Sequence, residues 1–160
     1  MNIRHSVLCL LLLTPALAAQ ADDKAQKQTQ GPDAIEVTLD AGTADNQNKF
    51  VPDKLQFERG KLYKLIIHNP SNTDHYFSAD GLGTHVFSRK VEAYDRDGKT
   101  LAEIHGQMYD FEIKAGSTIA WYFYPMTKGK HLKFLCHKEG HEEGGMVGEV
   151  EISGPPPFSK

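Results

Sequence analysis

The chain has 160 residues, the length of a single domain. Its 18 basic and 21 acidic residues give a formal net charge of −3. This mixed, mildly acidic balance argues against a nucleic-acid-binding protein, because such proteins carry clustered lysine and arginine.

The first 21 residues have the three parts of a secretory signal peptide. A short basic start (1–5) precedes an apolar run (6–13), and small residues in A-x-A spacing follow. The apolar run is too short to cross a bilayer as a permanent anchor. We therefore expect cleavage between Ala18 and Ala21, a periplasmic location, and no membrane span in the mature protein.

The sequence contains two cysteines, and Cys9 lies inside the predicted signal peptide. Cleavage would leave Cys136 unpaired in an exported protein, where a free thiol is open to oxidation. A bond to a metal ion protects such a thiol. The lone cysteine therefore favours a metal site over an inert buried cysteine.

The rest of the chain divides into a polar leader (22–33), a β-rich domain (34–153) and a short Pro-rich tail (154–160). The leader lacks large apolar residues and cannot bury a core. The domain contains seven or eight short β-prone runs separated by turn residues. The clearest runs are 34–39, 46–57 with a break at Pro52, 61–69, 109–113, 118–124, 131–136 and 147–152.

Residues 78–108 follow neither the helical nor the strand period. We expect a turn at 81–83, and a tight turn at 95–99 that joins a hairpin from Val91 to Ile104. A short helix within 80–105, before the hairpin, is an open alternative. With no long helical period elsewhere, the pattern predicts an all-β antiparallel sandwich or barrel of Greek-key type.

One loop carries most of the chemistry. Cys136, His141 and Met146 follow the spacing C-x4-H-x4-M in a glycine-rich segment between the last two β-prone runs. A trigonal set of one Cys and two His with a weak axial Met suits copper in an electron-transfer site. A structural zinc site normally takes four Cys or His ligands instead. The loop lacks one histidine of the copper set, so that histidine must come from elsewhere.

His75 is the strongest candidate, because it follows the loop after a hydrophobic strand and can meet another loop at the same pole of a sandwich. His68 and His137 compete with it. His68 lies in a strand whose facing is open, and His137 directly follows Cys136, so on an extended chain the two side chains point in opposite directions. The other imidazoles and thioethers are surface or packing residues, or some of them form a secondary site suited to Cu(I): His85, His105, His131, Met108 and Met126.

From about Ala34 to Ile152 the chain resembles the cupredoxins, the family of type 1 blue or green copper proteins. The resemblance rests on Phe134-x-Cys136, Gly140-His141, Gly145-Met146 and Gly148, which fall in the family's order. It implies an eight-stranded Greek-key sandwich. It also implies one type 1 copper, with additional copper sites possible, and four metal ligands: His75, Cys136, His141 and Met146.

Among the branches of that family, the chain is most similar to the periplasmic cupredoxins associated with bacterial copper tolerance. The stretches that carry this likeness are Lys90-Val-Glu, the strand from Trp121 to Pro125 and the metal-ligand loop. In several electron-carrier branches an Asn directly follows the first histidine and ties the loops together. Tyr76 occupies that position here.

The resemblance implies a copper-binding protein that cycles between Cu(I) and Cu(II) and serves copper tolerance. The alternative is a soluble electron shuttle between redox partners. We expect no enzymatic activity beyond weak oxidation of Cu(I). A multicopper oxidase needs a trinuclear copper centre, and one ligand set does not provide it. The expected partners are copper ions and a periplasmic redox or copper-export protein, and the expected state is a monomer.

Overall fold

The structure is a computed structural model that describes residues 33–43 and 48–157. The predicted signal peptide (1–21), most of the predicted leader (22–32) and the end of the predicted tail (158–160) lie outside the described residues. In the described part of the chain, no helix is both long enough and apolar enough to cross a membrane.

The described residues form eleven strands and one short helix. In chain order they are β1 (Ile35–Ala41), β2 (Phe50–Val51), β3 (Lys54–Glu58), β4 (Tyr63–His68), β5 (His75–Ser78), α1 (Asp80–His85), β6 (Val86–Tyr94), β7 (Thr100–Ile104), β8 (Asp110–Ile113), β9 (Thr118–Pro125), β10 (Gly129–Leu135) and β11 (Val147–Ser153). One sheet has the order β2-β1-β4-β9-β6-β7 and the other the order β3-β11-β10-β5-β8. The predicted all-β sandwich is thereby confirmed.

Alternating side chains explain why these segments form sheets with one buried face. In β4, Tyr63, Leu65 and Ile67 are buried, whereas the residues between them are partly exposed. In β11, Val150 and Ile152 are buried and alternate with exposed residues. This period of two places one row of apolar side chains on the inner face of each sheet.

Aromatic rings from the two inner faces meet in the core. Trp121 and Phe123 on β9 come from the six-stranded sheet. Their ring centroids lie 5.4 Å from Phe111 on β8 and 5.1 Å from Phe57 on β3, respectively. Both contacts are edge-to-face, an arrangement that adds to the stabilisation from burial itself. The domain core is therefore the layer between the sheets.

The structure departs from the expected antiparallel arrangement at two places. β1 pairs with β4, and β3 pairs with β11, in parallel register. The expected hairpin is present, with Val91 opposite Ile104. The short helix α1 confirms the alternative of one short helix within 80–105, and it replaces the turn expected at 81–83.

The sheet topology gathers three chain segments at one pole. β10 pairs antiparallel with β5 at Leu135 and Ser78, so the end of β10 lies beside the β5 strand that begins at His75. β10 and β11 are also antiparallel neighbours, with Leu135 opposite Val147. The loop between them therefore closes at the same pole, next to the start of β5.

Candidate metal centre

The loop from Cys136 to Met146 is held closed by its own backbone. The Cys136 amide donates to the Met146 carbonyl at 3.1 Å, and the Met146 amide donates to the His141 carbonyl at 2.9 Å. Gly140 and Gly145 have φ values of 77° and 96°, a region that glycine enters without steric cost. These glycines let the chain turn tightly enough to bring its three potential ligands to one end of the loop.

Three ligating side chains meet beneath this loop. The Nδ1 atoms of His75 and His141 lie 3.2 Å apart, and the Cys136 Sγ lies 3.4 Å from His141 Nδ1 and 4.0 Å from His75 Nδ1. His75 and Cys136 are fully buried, and His141 is 8% exposed. Within residues 33–43 and 48–157, no other group of three His, Cys, Asp or Glu side chains comes close enough to hold a metal ion.

The size of this triangle fits a single bound metal ion. Metal bonds of about 2.3 Å to sulfur and about 2.0–2.1 Å to nitrogen, at angles of roughly 100–120°, separate ligand atoms by about 3.1–3.8 Å. Two of the three observed separations lie in that range, and the third, 4.0 Å, lies just outside it. One thiolate and two imidazoles form a donor set that suits copper.

Met146 is joined to two residues of the triangle by backbone hydrogen bonds. It is fully buried immediately before β11, and its amide and carbonyl bond to His141 and Cys136, respectively. The structure therefore brings all four predicted ligand residues to one pole. The roles of His75, Cys136, His141 and Met146 as metal ligands stay a prediction.

Two residues that the sequence analysis did not single out hold the His75 ring. The Ser71 Oγ lies 2.9 Å from His75 Nε2, on the side of the ring opposite to Cys136 and His141. Asn69 in turn lies 2.7 Å from that hydroxyl through its Oδ1. Both are buried polar residues in the loop before β5. Their signal in the sequence was a polar run that could be read only as turn residues.

The Cys136 sulfur accepts a hydrogen bond from the backbone amide of Tyr76 at 3.2 Å. Such a donor withdraws electron density from a bound thiolate and belongs to the contacts that tune a metal site. The Tyr76 ring packs away from the triangle, stacked on His137 with centroids 4.1 Å apart. Tyr76 therefore contributes to the site through its main chain.

The competing histidines lie elsewhere. His137 is exposed, with Nδ1 2.7 Å from Ser78 Oγ. His68 lies 3.4 Å from Asp40 and is partly exposed. His105 and His131 pair with Glu103 and Glu149, respectively. A secondary copper site built from the peripheral residues stays a prediction.

Both histidines of the triangle are held in the form that binds metals. Burial lowers the pKa of His75 to about 4, and the nearby His141 and Lys138 act in the same direction. Burial, with a further contribution from Lys138, also lowers the pKa of His141. Near neutral pH both rings are therefore uncharged and can offer a lone pair to a metal ion.

In the metal-free protein, the free energy of unfolding should fall as the pH is lowered from about 6.5 to about 4. Because the pKa of His75 is lower in the folded than in the unfolded state, the unfolded chain binds more protons in this interval. The difference from the ordinary value of about 6.5 corresponds to about 3 kcal/mol for His75. Urea unfolding at successive pH values measures this slope.

A control is needed to separate the contribution of His75 to this pH dependence from that of carboxylates that titrate in the same pH range. His75→Gln should remove the share of the slope that His75 contributes between pH 6.5 and 5 and leave the share of His141, whereas His105→Gln, at an exposed histidine, should retain the whole slope. A slope of equal size in His75→Gln and the parent protein would contradict the explanation.

The chain is similar to known proteins in sequence and in fold. The chain is 27% identical over 107 residues to the copper-resistant cuproprotein CopI of Rubrivivax gelatinosus. The match covers 65% of this chain and 59% of the relative, so the chain spans less than two thirds of the relative's length. No family model matches the chain.

Among solved structures, a multicopper oxidase from Campylobacter jejuni, described as a metallo-oxidase, matches with a TM-score of 0.58 at 16% identity. That match covers 79% of this chain and 31% of the oxidase, and it shows a shared fold. Auracyanin B matches with a TM-score of 0.47 at 15% identity, over 78% of this chain and 93% of its own. The chain thus has a cupredoxin-like fold, in which two β-sheets form a sandwich and His75, Cys136 and His141 are buried together at one pole.

Proposed function

We propose that the chain binds one copper ion through His75, Cys136 and His141, with Met146 as a weak axial ligand, and that the ion cycles between Cu(I) and Cu(II). The observation that carries this proposal is the buried triangle of two imidazole nitrogens and one sulfur, with sides of 3.2, 3.4 and 4.0 Å. A donor set of this composition suits copper better than it suits a structural zinc ion.

The protein's own groups make such a site suited to fast electron exchange. Bound copper would supply a one-electron couple. Burial of His75 and Cys136 excludes water from the ligand atoms. The backbone ties between Cys136, His141 and Met146 hold the loop in one geometry. Ligands that keep their positions in both oxidation states need little rearrangement during electron transfer.

We further propose that this copper site serves copper tolerance in the periplasm. The relative from Rubrivivax gelatinosus is named a copper-resistant cuproprotein. The first 21 residues of the chain read as an export signal.

The surface over the site supports the same role. The exposed loop residues around His141 are glycines and carboxylates: Glu139, Gly140, Glu142, Glu143, Gly144 and Gly145. A shuttle that docks on its redox partners through apolar contacts would instead present an apolar patch here. The feature that favours a shuttle, as the alternative function, is the 8% exposed edge of the buried His141.

The test is a titration of the mature chain with Cu(II), followed by visible absorption and by counting bound metal. We expect an intense thiolate-to-copper band that saturates as the site fills. A colourless protein with Cu(II) bound would refute the type 1 site and favour zinc or a plain thiol. A count of one copper per chain is the result that the proposed single site predicts. Further tight copper, lost on replacing His105, Met126 and His131, favours tolerance.

A further inference from the structure

We propose that Asn69 and Ser71 are positioning residues that hold His75 in the tautomer with its proton on Nε2, so that Nδ1 is presented bare to the metal. The metal part of this inference rests on the proposed copper site. The tautomer itself is a property of the metal-free chain.

The orientation of the Asn69 side chain is set by two backbone carbonyls. Its Nδ2 lies 2.8 Å from the Thr73 carbonyl and 2.9 Å from the Ile113 carbonyl. Carbonyl oxygens only accept hydrogen bonds, so the NH2 group of the amide must face them. The Oδ1 of Asn69 then faces Ser71, and accepts from its backbone amide at 3.1 Å.

The hydroxyl of Ser71 has one proton to donate, and two acceptors compete for it. Asn69 Oδ1 lies 2.7 Å away and the Thr73 carbonyl 3.0 Å away. Neither of these two oxygens can donate a hydrogen bond to Ser71, so the hydroxyl proton must point toward one of them. Toward His75 Nε2, at 2.9 Å, the Ser71 oxygen can therefore only accept.

His75 must then carry its proton on Nε2. A neutral imidazole has one N–H, so this assignment leaves Nδ1 with a free lone pair. That atom lies 3.2 Å from His141 Nδ1 and 4.0 Å from Cys136 Sγ. The unprotonated Nδ1 of His75 therefore faces the predicted metal position.

Burial strengthens the control that these hydrogen bonds exert on the His75 ring. Asn69 and His75 are fully buried and Ser71 is 7% exposed, so little water competes for these bonds. The ring of His141 differs, because its hydrogen bonds to other described residues all involve Nδ1. Its tautomer can change when a metal enters. The tautomer of His75 is therefore fixed before a metal binds, whereas that of His141 is free to change on binding.

Nitrogen-15 NMR of the metal-free mature chain at neutral pH tests the proposal, because long-range proton–nitrogen couplings identify which ring nitrogen carries the proton. We expect Nε2–H for His75 in the parent chain and in Ser71→Thr, which keeps a hydroxyl. In Ser71→Ala the buried N–H loses its acceptor, and we expect a mixture of tautomers. Ser78→Ala is the matched control, because it removes a serine–histidine bond of 2.7 Å to the exposed His137.

Competition with a chromophoric chelator for Cu(I) gives the second readout. Loss of a group that orients a histidine ligand typically lowers metal affinity about 10-fold to 100-fold, and we expect that loss for Ser71→Ala. Ser71→Thr and Ser78→Ala should remain within about threefold of the parent chain, since the His75 orientation is kept in both. Urea unfolding checks that each variant is folded.

The outcomes separate this inference from the copper site. Nδ1–H at His75 in the parent chain overturns it, and this holds even if Ser71→Ala fails to fold. An unchanged tautomer and unchanged Cu(I) affinity in folded Ser71→Ala also overturn it. Nε2–H at His75 in a parent chain that binds no copper tightly supports the tautomer assignment and refutes the proposed function.

Discussion

Replacing Cys136 with serine should abolish the thiolate-to-copper band completely and lower Cu(I) affinity by at least about a hundredfold. The band requires a sulfur bonded to copper, and Cys136 supplies the one sulfur in the triangle. Structural zinc sites contribute roughly 10–16 kcal/mol in total, and on the same scale the loss of the strongest of four donors should cost several kcal/mol. Absorption spectra and chelator competition measure the two effects.

The adjacent residue provides the control for this substitution. His137 is exposed and lies against Tyr76 and Ser78, outside the triangle. His137→Ala should therefore keep both the band and the Cu(I) affinity. A band of full intensity in Cys136→Ser would contradict the proposed ligand set, because the band could then not come from the Cys136 thiolate.

The local part of the site could be predicted from the sequence because its spacing is local. Cys136, His141 and Met146 lie in one loop, and the glycines between them indicate a tight turn. His75 could be chosen over its rivals because strand ends and loops meet at the poles of a sandwich. His137 could be set aside by alternation, and its side chain does lie outside the triangle.

The groups that orient His75 could not be predicted, because their partners are distant in sequence. Asn69 is fixed partly by the Ile113 carbonyl, 44 positions further along the chain. From the sequence alone, Asn69 and Ser71 are turn-forming residues like others in the same loop. Several electron-carrier branches of the cupredoxins place an Asn after the first histidine, where this chain has Tyr76. The polar side chains that support the ring here, Asn69 and Ser71, lie before His75 instead.

The short helix shows where a tertiary contact overrides local preference. α1 contains Gly81 and Gly83, and glycine disfavours helices. A side chain at Gly83 would collide with the Tyr109 ring and the Met108 carbonyl. Glycine is therefore needed there for close packing, which a sequence pattern cannot reveal. The parallel pairing of β1 with β4 was missed for a similar reason, since alternation gives the buried face of a strand and not its direction.

Gly148→Ala should lower the free energy of unfolding by about 3 kcal/mol or more, which corresponds to a fall of about 10 °C in Tm. A Cβ at this position would collide with the Phe134 ring and come within 2.6 Å of the Asp53 carbonyl. Phe134 cannot move aside, because it is fully buried with its ring 5.1 Å from both Phe50 and Phe77. Thermal and urea unfolding of the metal-free protein measure the loss.

The Asp53 carbonyl, the second atom that the new Cβ would meet, is also held in place. The Glu149 amide donates to the Asp53 carbonyl at 2.8 Å, which holds β11 against the segment before β3. Gly148 also lies two residues after Met146, so a shift of β11 would disturb the metal loop. We therefore expect the substitution to weaken Cu(I) binding as well, and to do so even under conditions in which the variant is still folded.

Two further variants locate the cause of this effect. Gly81→Ala adds the same methyl group at a site where the nearest atom would lie at an ordinary contact distance of 3.4 Å. It should not lower stability, because alanine favours a helix over glycine by up to about 1 kcal/mol. Phe134→Leu in the Gly148→Ala background should recover part of the loss, because the removed ring atoms leave room for the methyl group. A Gly148→Ala protein as stable as the parent would show that β11 can move away from Phe134 and Asp53, and that the metal loop does not depend on this close contact.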